Sequence, residues 1–91
     1  PHREIGSLMY IGRCFAKRGM NDMAAGTLQK ALEKKVVMDD EKMDLHYQLG
    51  CVLDSMDRTE ESIEQFKLIY ERDIGYRDVA DRVDAYYASL G

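Results

Sequence analysis

Two stretches of this 91-residue chain repeat each other at one fixed offset, the step from Gly12 to Gly50. The first reads Leu8-x-x-Ile11-Gly12-x-x-Phe15 and continues with Ala24-x-x-x-Leu28. The second reads His46-x-x-Leu49-Gly50-x-x-Leu53 and continues with Ser62-x-x-x-Phe66. Self-similarity at a period between 20 and 50 residues marks an architecture of stacked supersecondary units, because no single unit buries its own apolar face. Within each unit the apolar positions recur at steps of three and four, which is the spacing of one face of a helix.

Read along the chain, the spacing predicts five helices. The first runs from about Arg3 to Arg18, with Ile5, Leu8, Met9, Ile11, Phe15 and Ala16 as its apolar set. Gly19 ends it, since glycine tolerates the left-handed backbone that closes many helices. The second runs from about Asp22 to Lys35, capped by Asn21 or Asp22, with Met23, Ala24, Leu28, Ala31 and Leu32 as its apolar face. Lys30, Lys34 and Lys35 gather at its end, where cations suit the helix dipole.

Asp39, Asp40, Glu41 and Asp44 open the third helix with favourable negative charge, and either aspartate can cap it. That helix ends near Met56-Asp57-Arg58. Thr59 is the expected cap of the fourth, which runs to about Arg72 and carries Ile63, Phe66, Leu68, Ile69 and Tyr70. The fifth spans Arg77 to Leu90, with Val79, Ala80, Val83, Tyr87 and Leu90 along one face. On this reading Tyr87 and Leu90 pack on the fourth helix and Tyr86 is half exposed. Asn-Gly or Asp-Gly hairpin turns between alternating runs are absent, so strands are not expected.

The expected fold is therefore all-α in a single domain: a first repeat over 3–38, a second over 39–75, and a C-terminal capping helix over 76–91. The chain starts at Pro1 without an initiator methionine, which reads as a fragment of a larger protein. Its formal net charge is −4, and basic residues are interspersed with acids without forming a basic stripe, so neither a nucleic acid nor an anionic membrane is an expected partner. No apolar run approaches the roughly 20 residues of a membrane span. Cys14 and Cys51 lie beside the repeat glycines and read as small buried hydrophobes, and two thiols without a disulfide framework fit a reducing, cytoplasmic setting.

The paired Ile11-Gly12 and Leu49-Gly50, the aromatic or large residues Phe15 and Leu53, the small Ala24 and Ser62, and the following Leu28 and Phe66 resemble the pattern of the tetratricopeptide repeat family. The resemblance covers nearly the whole chain. Leu8 and His46 stand where the family has its opening tryptophan, Val36 and Ile74 where it has its closing proline, and the period exceeds the usual 34 residues by four. Four residues are about one helical turn, so apolar faces keep their alignment; the extra turn is expected around Val37 to Lys42.

What the resemblance implies is a right-handed α-solenoid of two tandem antiparallel helix-turn-helix repeats. It also implies a non-catalytic scaffold module that binds a protein or peptide on its concave face. Carried onto this chain, that face comprises Met9, Arg13, Ala16, Lys17, Asp44, Tyr47, Cys51, Asp54 and Ser55. Arg13 and Lys17 form a small basic spot, with Asp44 and Asp54 as its acidic counterpart, and Tyr47 offers a flat amphipathic surface. The alternative reading is self-association, a homodimer or larger homo-oligomer formed through exposed helical ends, with Tyr76, Tyr86, Tyr87 and Leu90 as one candidate surface.

Chemistry is not expected of this chain. His46 and Cys51 are five residues apart, about 500° around a helix, and point to different sides. No Cys-x-x-Cys or His-x-x-x-His spacing suggests a metal site, and no phosphate-binding glycine loop or nucleophile elbow is present. The expectation is a chain that is no enzyme and needs no metal or cofactor.

Overall fold

The computed structural model describes residues 2–91. Five helices follow one another: α1 (His2–Lys17), α2 (Asn21–Lys34), α3 (Asp40–Ser55), α4 (Thr59–Arg72) and α5 (Val79–Ser89). Strands are absent among the described residues. Each helix packs on the next in the chain, and α1 also touches α3. The pairing of Glu4 with Lys34 at 3.1 Å and of Gly12 with Ala24 and Leu28 shows that α1 and α2 run antiparallel.

The two repeat glycines occupy matching positions. A Cβ on Gly12 would lie 2.8 Å from Leu28 Cδ2, and a Cβ on Gly50 would lie 2.7 Å from Phe66 Cζ. Leu28 and Phe66 are separated in the chain by the same step as the two glycines, so the sequence offset is also the packing offset. At such a distance no side chain fits, and only glycine lets the facing residue lie against the helix backbone. Ser62 adds a tie at the second crossing: its Oγ donates to the Gly50 carbonyl at 2.6 Å.

Apolar burial is organised around α3. Ile5, Ala24, Leu28, Ala31, Leu45, Leu49, Val52 and Leu53 form one cluster between α1, α2 and α3. Met43, Ile63, Phe66, Ile69, Val79 and Val83 form a second between α3, α4 and α5. Lys35, buried at the turn into α3, holds Asp39 at 2.7 Å and Glu41 at 2.9 Å. Hydrogen bonds to these two carboxylates raise the Lys35 ammonium above its ordinary value.

Several local expectations are corrected. Neither Asn21 nor Asp22 caps α2: Met20 holds the N-cap position and no side chain caps the helix. Gly19 is left-handed, and the Met20 amide returns to the Phe15 carbonyl at 2.9 Å, a closure that starts α2 with Asn21 already inside it. Thr59 is displaced in the same way. Asp57 takes the left-handed place of Gly19, the Arg58 amide bonds the Leu53 carbonyl at 3.0 Å, and Arg58 holds the N-cap position. Asp39, by contrast, caps α3 by accepting from the Lys42 amide at 3.0 Å.

The start of α5 also moves. Arg77 has φ of 43°, outside any helix, and α5 begins at Val79. Tyr87 and Leu90 are exposed and do not pack on α4 as expected, whereas Tyr86 is half-exposed and rests against the second cluster. Val79 and Val83 face α4, and Tyr86 returns to within about 20° of Val79, whereas Tyr87 stands about 80° from it. Met23, placed with the apolar face of α2, and Leu68, placed with that of α4, are both exposed. Ile11 is 42% exposed while its counterpart Leu49 is 2% exposed, because α2 covers α3 and nothing in the described chain covers the same side of α1.

Candidate protein-binding face

α1 and α3 lie side by side and frame a groove of about 270 Å³. Arg13, Ala16 and Lys17 come to it from α1, and Asp44, Tyr47 and Cys51 from α3. Three residues expected on this face do not line the groove. Met9 is half-buried against the first cluster. Asp54 lies beyond the groove with its carboxylate 3.9 Å from Arg82. Ser55 spends its hydroxyl on the Cys51 carbonyl at 3.1 Å, a back-bond within its own helix. The groove floor is made by Gly12, Leu28 and Val52.

Tyr47 is less available than its position suggests. Its hydroxyl donates to Asp78 Oδ1 at 2.7 Å. Its ring meets Phe66 edge-on at 5.5 Å and Tyr76 at 6.2 Å between centroids. The Arg77 guanidinium stacks 4.7 Å above the same ring, within the range of a cation–π contact. Burial and the Asp78 bond push the phenol up to about 12. Tyr47 therefore locks α5 to α3 and offers a ligand only its rim.

Gln48 and Arg77 also line the groove, and no spacing in the sequence marks them for it. Arg77 reaches Asp44 at 3.2 Å, and its left-handed backbone aims it there. Gln48 Nε2 donates to Asp44 Oδ2 at 3.0 Å, which leaves Gln48 Oε1 buried without a donor. A buried amide oxygen without a partner is uncommon, since each lost hydrogen bond costs roughly 1–3 kcal/mol. Burial raises the Cys51 thiol above its ordinary value, with Arg82 opposing, so Cys51 is a neutral apolar surface here. Arg13 and Lys17 have no carboxylate within salt-bridge range among the described residues, unlike Arg77 and Arg82.

His46 faces the other way, into the α3–α4 interface, where its Nδ1 donates to Gln65 Oε1 at 2.8 Å. Burial lowers its imidazole below the ordinary value, Gln65 opposes this, and Lys42 adds to it. A lowered folded-state value means that the unfolded chain takes up the proton first, so stability is complete above about pH 6.5 and falls as pH drops through the folded value. Thermal melts should show a lower Tm at pH 5 than at pH 7, and His46→Gln should remove most of that difference. An equal pH response in the variant would assign the effect elsewhere.

Groups of three or more His, Cys, Asp or Glu placed to hold a metal ion are absent among the described residues. No helix there is long and apolar enough to cross a membrane. No protein-family model, curated protein or solved structure matches the chain.

Proposed function

We propose that this chain is a non-catalytic protein- or peptide-binding module of the tetratricopeptide kind, its two hairpins stacked in a right-handed sense and its ligand lying along the α1–α3 groove. The observation that carries the reading is the pairing of an apolar floor with unspent polar groups. Arg13 and Lys17 supply positive charge to the groove, and neither has a carboxylate within salt-bridge range among the described residues. An acidic side chain suits this pair. An apolar side chain of the same peptide would rest on Leu28, Cys51 and Val52. The two free, half-buried thiols fit a reducing compartment such as the cytoplasm.

Selection of random peptides on the isolated chain tests this. Enriched sequences should carry Asp or Glu beside an apolar residue. Combined Arg13→Glu and Lys17→Glu should weaken them at least about tenfold, the scale of one lost charged contact. Arg72→Glu, on the exposed end of α4, serves as the control and should leave binding unchanged. Equal affinity in the double variant would remove these two residues from the site.

A further inference from the structure

The two ends of the molecule differ in chemistry, and the chain itself shows what one of them accepts. In the second repeat, Leu49, Leu53, Arg58 and Glu61 face α2 across the hairpin interface, opposite Asp22, Ala25, Gly26 and Gln29. Their counterparts one repeat earlier are Ile11, Phe15, Met20 and Met23. Here charged residues have become methionines, and no described element covers them. Ile11, Met20 and Met23 are exposed, with Tyr10 beside Ile11. Arg3 shares a shallow hollow with Tyr10 and Ile11, and Lys30 follows Met23 on the same stripe of α2.

At the other end, α5 presents Asp81, Asp84, Ala85 and Ala88 to solvent, spaced as one helical stripe. The exposed Tyr87 and Leu90 border it. The formal charge divides in the same sense. Residues 1–38 hold seven Lys and Arg against three Asp and Glu, and residues 39–91 hold six against fourteen, giving +4 and −8.

From these observations we infer that the chain associates with a second copy of itself head to tail, the methionine-bearing basic end of one copy docking on the outer stripe of α5 in the next. Charge selects this arrangement. Contacts between like ends would set Arg3 and Lys30 against their own copies, or Asp81 and Asp84 against theirs, whereas contact between unlike ends brings opposite charges together. The small Ala85 and Ala88 admit the flexible methionines closely, and Asp81 and Asp84 meet Arg3 and Lys30 at the rim. A contact between two different patches does not close on itself, so growth continues beyond the dimer. This surface is separate from the α1–α3 groove.

Sedimentation velocity of the chain from about 10 μM to about 1 mM, at low and high salt, tests the idea. The mean mass should rise past the dimer with concentration. The association constant should fall at least about tenfold at an ionic strength of roughly 0.5 M, where screening is strong. Combined Met20→Glu and Met23→Glu should leave a monomer, and so should combined Asp81→Lys and Asp84→Lys. Mixed together these two variants should form a one-to-one dimer and stop, because each keeps one intact end. Circular dichroism checks that both fold, and Met20→Ser with Met23→Ser replaces the first pair if it does not.

A monomer throughout, a dimer indifferent to the α5 substitutions, or a mixture that stays monomeric would each overturn the inference. The Arg13→Glu, Lys17→Glu variant should assemble normally, so a failure of the groove reading is seen separately.

Discussion

Phe66→Ala is expected to cost about 3–5 kcal/mol, the usual range for deleting a buried aromatic ring. Phe66 is 1% exposed and stands where α3, α4 and α5 meet. Its ring lies against the backbone of Gly50 on one side, the edge of Tyr47 on another, and the Arg82 guanidinium at 4.9 Å. Collapse into the void is hindered, because the facing residue is a glycine with no side chain to move inward. A domain of this size holds roughly 5–15 kcal/mol in all, so the variant should sit close to unfolding. Thermal melts should show Tm lowered by roughly 20 °C. A loss under about 1 kcal/mol would mean that the ring is not the keystone of the second cluster.

Gly50→Val carries the second large effect, for the opposite reason. A Cβ at that position would stand 2.7 Å from Cζ and 2.8 Å from Cε1 of Phe66. Neither partner can give way easily, since the ring is enclosed and Ser62 ties the Gly50 carbonyl to α4. Overpacking of this kind costs about 1–3 kcal/mol for a modest intrusion, and two further methyl groups place Gly50→Val at the upper end, near 3 kcal/mol. Gly26→Ala is the matched control. Gly26 lies inside α2 with nothing within 4 Å of the added atom, so that change should stabilise by about 0.5–1 kcal/mol. Because the intruding Cβ and the ring share one space, Gly50→Ala combined with Phe66→Leu should cost less than the sum of the two single changes. Additivity in urea denaturation would argue that they do not touch.

The five helices and the packing of Gly12 and Gly50 were legible in the sequence because both follow from periodicity. Spacing at steps of three and four fixes which side of each helix is apolar, and the constant offset between the repeats fixes which glycine matches which. The ends of elements were less legible. Whether Thr59 or Arg58 occupies the N-cap position depends on Asp57 turning left-handed, and aspartate, unlike glycine, does not announce that conformation. The side from which a neighbour arrives was illegible too: Ile11 and Leu49 read alike, yet only Leu49 has α2 over it.

The groove was legible in part. Arg13, Ala16, Lys17, Asp44, Tyr47 and Cys51 meet there because they share helix faces. Arg77 enters through an irregular turn that no periodicity describes, and it changes the site by occupying Asp44 and covering Tyr47. Gln48 follows Tyr47 in the chain, and an isolated glutamine on a helix carries no signal. Only the competing bond to Asp44 exposes its unanswered oxygen.

α3 contributes side chains to both apolar clusters, Leu45, Leu49, Val52 and Leu53 to one and Met43 to the other. Peeling either neighbouring hairpin away would therefore strip this helix on one flank and weaken its grip on the other. The halves cannot melt on separate schedules, although their sequences look like independent copies. The shared helix ties the unfolding of the two similar parts together.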